Sequence, residues 1–218
     1  MTKENSINKF LRQTQDVYGD KLYIKMKTVS KDYNRLENSL DKFYHSIKAC
    51  QKCQLGKTRK NFVFGFGDKN ADLLLVGEAP GEKEDIEGLP FVGRAGKLLD
   101  KILSAISLSR DKGVYICNVL KCRPSDNRDP LSSEIEQCEP YLKEQINLIN
   151  PKLIVALGRV AAKTLLNNDL ALKEMRLIKH DYYGTPLVAT YHPAALLRNQ
   201  NLKPAAWEDF KWIRNLIS

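Results

Sequence analysis

The chain has 218 residues, enough for one full hydrophobic core and a small additional segment. Hydrophobic residues make up 43% and charged residues 28%, as in ordinary soluble domains, and no apolar run is long enough to span a bilayer. The net charge of +9, from 35 basic and 26 acidic residues, favours a polyanionic partner, and we expect no association with a membrane.

Residues 1–31 read as a basic N-terminal extension, with seven Lys or Arg residues against three acids. This extension could hold the protein near DNA or only increase its solubility, and the sequence leaves both open. It lacks the apolar segment of a signal peptide, so we expect a cytoplasmic protein. Residues 32–218 are predicted to form the functional domain.

Hydrophobic periodicity in this domain predicts four buried strands that alternate with helices. The strands are expected at 73–76, 114–120, 153–157 and 187–190. Helices are expected at 31–49, 95–107, 132–149 and 159–166, with a last helix from Pro204. Such alternation predicts an α/β protein, a three-layer α/β/α sandwich around a four-stranded parallel sheet.

A sharp turn follows the first of these strands. Gly77, Ala79 and Gly81 belong to the sequence GEAPG, which bends the chain, and acids and Phe91 come next. In open parallel sheets, small-molecule pockets lie beyond the carboxyl ends of the strands. We therefore expect an exposed Phe91 and the carboxylate of Glu78 to line a pocket, although an ordinary loop with solvated acids would give the same pattern.

Two polar residues lie at the ends of later strands. Asn118 offers a donor and an acceptor together, which suits the edge of a pyrimidine, but it could equally tie down a neighbouring loop. His192 lies just after a strand and could be functional or structural. Three residues of the following segment could insert into a base stack and contact a phosphate, or could be buried in a helix: Leu196, Leu197 and Arg198.

The chain has five cysteines, an odd number that argues against a framework of disulfides. Four of them have spacings that suit zinc or an iron–sulfur cluster: Cys50, Cys53, Cys122 and Cys138. The alternative is a redox CxxC pair with two buried thiols elsewhere. Spacing alone does not decide between these metals, and Cys117 is assigned to the core.

Several motifs together resemble those of the family 4 uracil-DNA glycosylases, iron–sulfur DNA repair enzymes of the uracil-DNA glycosylase superfamily. The resemblance covers about residues 35–218 and rests on segments in the family's order: GEAPGEKED, GLPFVGRAGKLLD, VYICNVLKCRP, ALGRVAA, YHPAALLR and the four cysteines. It implies the fold of that superfamily. It also implies a structural [4Fe–4S] cluster on Cys50, Cys53, Cys122 and Cys138.

The resemblance implies roles for the residues of the pocket. Uracil is flipped out of DNA, Asn118 pairs with its O4 and N3–H, and His192 donates to O2 as the base leaves. Glu78 orients the attacking water. The base is held by five residues, namely Gly77, Ala79, Gly81, Phe91 and Asn118, and flipping is driven by Leu196, Leu197 and Arg198.

No lysine is needed for this reaction, so we expect a monofunctional enzyme that leaves an abasic site in single- and double-stranded DNA. Better-known relatives have Asp where this chain has Ala79, so Glu84 and Asp85 compete with Glu78 for the water. We expect a monomer, and the sequence does not decide whether a sliding clamp is a partner. The rivals are a uracil-DNA-binding relative that is non-catalytic or crosslinks covalently, and an iron–sulfur interaction module.

Overall fold

The computed structural model describes residues 33–217, with side chains from residue 39 onward. The expected basic extension at residues 1–31 lies outside the described residues. Within the described part of the chain, no helix has both the length and the apolar character needed to cross a membrane.

Six strands form one mixed sheet in the order β1-β3-β2-β4-β6-β5. The four central strands are parallel, whereas β1 and β5 are short antiparallel edge strands. The strands are β1 (Phe66–Gly67), β2 (Leu73–Gly77), β3 (Val114–Asn118), β4 (Leu153–Leu157), β5 (His180–Tyr182) and β6 (Thr185–Thr190). The expectation of a four-stranded sheet was wrong, because strands of two or three residues are too short to show hydrophobic periodicity.

Helices cover both faces of the sheet, which confirms the three-layer sandwich. The helices are α1 (Tyr33–Ile47), α2 (Leu55–Thr58), α3 (Glu82–Glu87), α4 (Arg94–Ala105), α5 (Ser132–Ile149), α6 (Arg159–Leu166), α7 (Leu172–Met175), α8 (Pro193–Arg198) and α9 (Lys203–Leu216). Helices α1, α5 and α6 contribute to one core, and α4 and α9 contribute to the other.

The strand β2 shows why the sheet is buried on both sides. Leu74 and Val76 face the core under α5, whereas Leu73 and Leu75 face the core under α4. Successive side chains of a strand point to opposite faces, so a strand covered on both faces needs an uninterrupted apolar run. Burying these side chains stabilises the fold by roughly 1.5–3 kcal/mol for each leucine or valine.

The order of the strands creates a crevice at the carboxyl end of β2. The chain passes from β2 outward to β3 and then returns to β4 on the other side of β2. In the register of the sheet, Gly77 pairs with Asn118, and Leu157 pairs with Thr190. The ends of all four parallel strands therefore meet at one edge, where ligands bind in sheets of this kind.

Of two short helices at this edge, one was not predicted and the other was a possibility that the sequence left open. The acids after Gly81 form α3, which was expected to be part of a loop, and residues 193–198 form α8. Helix α3 begins with acidic side chains, which interact favourably with the positive N-terminal end of a helix. Helix α8 begins at a proline, which suits the first position of a helix.

Candidate active site

Gly77, Phe91 and Asn118 come together at the carboxyl end of β2. A Cβ atom added at Gly77 would lie 2.8 Å from two atoms of the Phe91 ring, and it would overlap the side-chain oxygen of Asn118. Only a glycine lets an aromatic face and an amide approach the same backbone position so closely. The predicted neighbourhood of these three residues is therefore present in the structure.

Phe91 is buried, with 6% of its surface exposed, so the expectation of an exposed aromatic was wrong. Its ring packs into the core under α4 and contacts the His192 ring, with centroids 5.3 Å apart. The physical reason is that the loop packs against α4, with the Phe91 carbonyl over Gly96 and the ring in the core that α4 helps to form. Phe91 thus forms a fixed wall that joins Gly77 and His192.

The side-chain amide of Asn118 is available for a ligand. Asn118 is 2% exposed, and no hydrogen bond joins its side chain to another residue in the described part of the chain. Its backbone is held, because the carbonyl accepts a 2.7 Å hydrogen bond from Nζ of the buried Lys121. An amide that no other residue occupies can pair with a ligand whose edge offers both a donor and an acceptor.

His192 is held in a defined tautomer. Its Nδ1 accepts a 3.1 Å hydrogen bond from the backbone N–H of Ala194, so the proton of the neutral ring lies on Nε2. Burial, and to a lesser degree the nearby Arg198, lowers the pKa of His192 to about 4. The neutral ring therefore offers Nε2–H as a donor at physiological pH.

Glu78 has the most perturbed carboxyl group at this edge of the sheet. Burial, and then the like charge of Asp129, raises its pKa from the ordinary value of 4.5 to about 7, while Arg159 opposes this shift. No hydrogen bond joins its carboxylate to another described residue. A half-buried carboxyl group with a pKa near neutrality is suited to accept a proton from water.

The two competing carboxylates are already occupied. Glu84 Oε1 accepts hydrogen bonds of 2.9 Å from the backbone N–H groups of Val92 and Gly93. Asp85 is 3% exposed and accepts hydrogen bonds from the backbone of residues 60 and 61. Both carboxylates hold loops in place, which favours Glu78 as the group that contacts water.

Ala79 and Gly81 present backbone N–H groups at the same edge. Neither N–H donates a hydrogen bond within the described residues. Gly81 precedes α3, and a Cβ atom at this position would lie 2.8 Å from Glu84 Oε2. Free N–H groups beside a bent, glycine-containing loop are suited to bind the oxygen atoms of a ligand.

Leu196, Leu197 and Arg198 lie on α8, which packs against α4. Leu196 is 1% exposed, so it is the buried helix residue that the sequence left open as the alternative to insertion into a base stack; as α8 packs on α4, it points inward. Leu197 is 37% exposed, and Arg198 lies on the surface. Only these last two side chains are accessible to a large partner.

The four predicted cysteine ligands line a single pocket. Three of the four sulfur atoms accept a hydrogen bond from a neighbouring residue. The donors are Tyr141 OH to Cys50 (3.3 Å), Arg59 Nη1 to Cys122 (3.2 Å) and the backbone N–H of Lys121 to Cys138 (3.4 Å). Across the described residues, no group of three or more His, Cys, Asp or Glu is arranged to hold a metal ion. Four thiols at one pocket are a donor set that can bind zinc or an iron–sulfur cluster.

Sequence reasoning missed the residues that support this geometry. Arg59 and Tyr141 contact the cysteine sulfurs, Asp129 and Arg159 set the charge around Glu78, and Gly158 lies against the Cβ atom of His192. Gly158 and Arg159 belong to the ALGRVAA segment of the resemblance, but the order of the residues does not show which side chains they meet. A second signal was the position of Gly158 directly after a strand; in the structure its φ is +95°, which side chains rarely adopt.

Comparison with known proteins gives a consistent result. Residues 64–211 match the family model of the Uracil DNA glycosylase superfamily. The chain is 45% identical to a type-4 uracil-DNA glycosylase of Archaeoglobus fulgidus over 82% of this chain and 93% of that protein. It is also similar to the type-4 enzymes of Sulfurisphaera tokodaii (46%; 82% and 85% covered) and Thermotoga maritima (40%; 78% and 91% covered).

Proposed function

The chain belongs to the uracil-DNA glycosylase superfamily, and we propose that it is a type-4 uracil-DNA glycosylase, which removes uracil from DNA in base excision repair. It hydrolyses the N-glycosidic bond, releases free uracil and leaves an abasic site. The observation that carries this proposal is the meeting of Gly77, Phe91, Asn118 and His192 at the carboxyl edge of the sheet.

Asn118 gives the pocket its selectivity for uracil. The edge of uracil presents the O4 acceptor beside the N3–H donor, and one fixed amide can pair with both. Cytosine presents the reverse order, a donor on N4 beside an acceptor at N3. The same amide orientation would then leave buried polar groups unpaired, which disfavours cytosine. Phe91 packs against the face of the flipped base, and the free N–H groups of Ala79 and Gly81, beside Gly77, bind its oxygens.

His192 stabilises the leaving group. Negative charge develops on the O2 atom of uracil as the glycosidic bond breaks, and a donor already in place lowers the energy of that state. The Nε2–H of His192 is such a donor, because its ring is neutral and its Nδ1 is occupied by Ala194. A neutral donor also avoids the cost of keeping an imidazolium in a buried site.

Glu78 acts on the opposite side of the bond. The sugar acquires positive charge as uracil leaves, and a carboxylate stabilises that charge and orients the attacking water. Glu84 and Asp85 are held by backbone donors, so Glu78 has the free carboxylate for this role. The amine of Lys121 is bound to Asn118 and has no exposed surface, so it does not attack the sugar. The product is an abasic site.

Base flipping requires contacts outside the pocket. Unstacking a base costs a few kcal/mol, which contacts to the DNA must offset. Leu197 and Arg198 are exposed at the end of α8, next to the His192 loop. We assign Leu197 to the base stack and Arg198 to a phosphate, in both single- and double-stranded DNA. The net charge of +9 adds a general attraction to the phosphate backbone.

We propose a [4Fe–4S] cluster on Cys50, Cys53, Cys122 and Cys138, and the support for it is that these four thiols line one pocket. Such a cluster, when bound, supplies covalent cross-links between distant segments of the chain. Here it would join the connection after α1, the loop after β3 and the helix α5. Its role is structural, because Glu78 and His192 supply the catalytic groups.

The cellular setting follows from the substrate. We place the enzyme in the cytoplasm with the DNA it repairs, acting as a monomer, because one chain contains every proposed catalytic group.

The test uses the purified protein and an end-labelled oligonucleotide that contains one uracil, followed by alkali to break abasic sites. The wild type should release uracil and give a cleaved strand, whereas Glu78→Ala should lose this activity. A cut that survives in Glu78→Ala would move the water-activating role to another carboxylate. Binding without cleavage by the wild type would leave a uracil-DNA-binding relative as the function.

Asn118→Asp tests the pocket itself. The carboxylate cannot donate to O4 of uracil, so uracil release should fall by about 100-fold or more. Release of cytosine by the same variant should be measured on a matched cytosine oligonucleotide. Unchanged kinetics on uracil would remove Asn118 from the pocket.

A further inference from the structure

Phe91 has a backbone conformation that its side chain disfavours. Its φ is +54°, in the left-handed region, where bulky residues other than glycine are rare. Such a conformation persists only where the surroundings enforce it. The residues that enforce it here therefore matter for the wall of the uracil pocket.

Arg110 is the residue that holds this backbone from one side. Its Nη1 donates a 2.8 Å hydrogen bond to the carbonyl of Pro90, and its Nη2 donates a 2.5 Å hydrogen bond to the carbonyl of Phe91. Its Nε pairs with Asp100 at 2.6 Å. All three donor nitrogens of the guanidinium are thus used, and the side chain is only 14% exposed.

The other side of the loop is held by Glu84, which accepts from the N–H groups of Val92 and Gly93. Residues 90–93 are therefore fixed by a cation on their carbonyl groups and by a carboxylate on their amide groups. Hydrogen bonds with a charged partner are roughly twice as strong as neutral ones. The two sets of contacts together enforce the left-handed conformation of Phe91.

We propose that Arg110, anchored by Asp100, is a positioning residue that holds the Phe91 ring in place for the uracil base. The inference rests on the proposed function, since it concerns the pocket for uracil. The planar guanidinium can donate to two neighbouring carbonyl groups and to a carboxylate at the same time, which a lysine cannot do. A wall fixed before the base arrives spares the cost of ordering it during binding.

The test compares Arg110→Met with the wild type in three assays: single-turnover uracil release, binding of free uracil by calorimetry and binding of DNA with a tetrahydrofuran abasic analogue. Release should fall by roughly 10- to 100-fold, because a small misplacement of a group that contacts substrate has effects of that size. Uracil binding should weaken in parallel. Binding of the abasic analogue, which has no base to stack, should stay within about twofold of the wild type.

A double-mutant cycle with Phe91→Ala shows whether Arg110 acts through Phe91. In the Phe91→Ala background, Arg110→Met should change the rate by less than about twofold, because the ring that it positions is absent. Full additivity of the two effects would overturn the proposal. Arg110→Lys should recover only part of the activity.

Two controls separate positioning from general loss of stability. Lys163 lies on α6 and forms an exposed ion pair with Asp169 (2.8 Å). Lys163→Met removes this ion pair and should leave the results of all three assays unchanged. If Arg110→Met does not fold, Asp100→Asn keeps the guanidinium but weakens its anchor, and it should lower release and uracil affinity together.

The outcomes also distinguish this inference from the proposed function. A wild type that releases no uracil contradicts the function. Equal uracil affinity in the wild type and Arg110→Met, with an active wild type, overturns the role of Arg110 alone.

Discussion

The Nδ1 atom of His192 accepts a hydrogen bond from the backbone N–H of Ala194, at 3.1 Å, in the first turn of α8. The turn that begins the helix thereby fixes the tautomer of the ring. Because burial also lowers its pKa to about 4, the ring stays neutral and keeps its remaining proton on Nε2. One backbone contact thus leaves Nε2–H free as a donor, which is the role that we propose for it towards the leaving uracil.

The first prediction concerns this donor. His192→Ala should lower the single-turnover rate by about 10²–10³-fold, which is the usual cost of removing one donor to a developing anion. Affinity for an abasic-analogue DNA should change little, because the donor acts mainly in the transition state. Nitrogen NMR of the wild type at about pH 6 should show a neutral ring protonated at Nε2. An imidazolium signal at that pH would contradict the assignment.

The second prediction concerns the pH dependence of the reaction. Glu78 must be ionised to orient water, and its pKa is about 7, so the rate should rise with pH up to that value and then level off. Asp129→Asn removes a like charge and should move the midpoint to lower pH. Arg159→Gln removes an opposite charge and should move it to higher pH. The measurement is the single-turnover rate as a function of pH, and a midpoint unchanged in both variants would contradict the role of Glu78.

The third prediction concerns the stability cost of the same carboxyl group. The pKa of Glu78 is about 7 in the folded protein and 4.5 ordinarily, so the folded state binds its proton more tightly. The free energy of unfolding should therefore fall as pH rises from 4.5 through 7. Glu78→Gln removes this charge, so its melting temperature should exceed that of the wild type above this window and match it below. Equal melting temperatures above the window would contradict the burial of the charge.

The fourth prediction separates the cysteines by location. Cys122→Ala should lose visible absorbance, iron content and thermal stability together, because it removes one ligand of the proposed cluster. Cys117→Ala is the matched control, since Cys117 is also buried but does not line the cysteine pocket. It should keep its iron and colour and lose only the stability expected from a small cavity. A stable, colourless and active Cys122→Ala protein would contradict the cluster.

The fifth prediction concerns Gly96, in the first turns of α4. A Cβ atom at this position would overlap the carbonyl group of Phe91. Gly-to-Ala substitution inside a helix usually stabilises by about 1 kcal/mol, but here the overlap must displace the Phe91 loop. Gly96→Ala should therefore lose both uracil release and stability. A more stable and fully active variant, measured by thermal melting and single-turnover kinetics, would contradict this packing.

Strands and helices with long hydrophobic patterns could be predicted from the sequence. The central strands and α4, α5, α6 and α9 were placed within a few residues, because burial on two faces requires uninterrupted apolar runs. The edge strands β1 and β5 were missed, because short edge strands bury little surface and carry no such pattern. The placement of Asn118 and His192 at one edge followed from parallel strands, whose carboxyl ends lie together.

The exposure of individual side chains could not be predicted in the same way. Phe91 was expected on the surface and is buried, because a loop without hydrophobic periodicity gives no sign of which side faces the core. Leu196 and Leu197 are adjacent and chemically identical, yet only Leu197 is accessible. Their difference depends on the docking of α8 against α4, which is a contact between distant parts of the chain.

The sequence by itself determined the class of fold and the family, and it predicted a candidate set of residues for the chemistry. These properties depend on local composition, hydrophobic periodicity and motifs, which are present in the order of the residues. The tertiary structure decided which acid near the β2 turn is free, which tautomer His192 adopts, and that Arg110 holds Phe91. Those properties depend on hydrogen bonds and burial between residues far apart in the chain, and such contacts exist only once the sheet and its helices have packed.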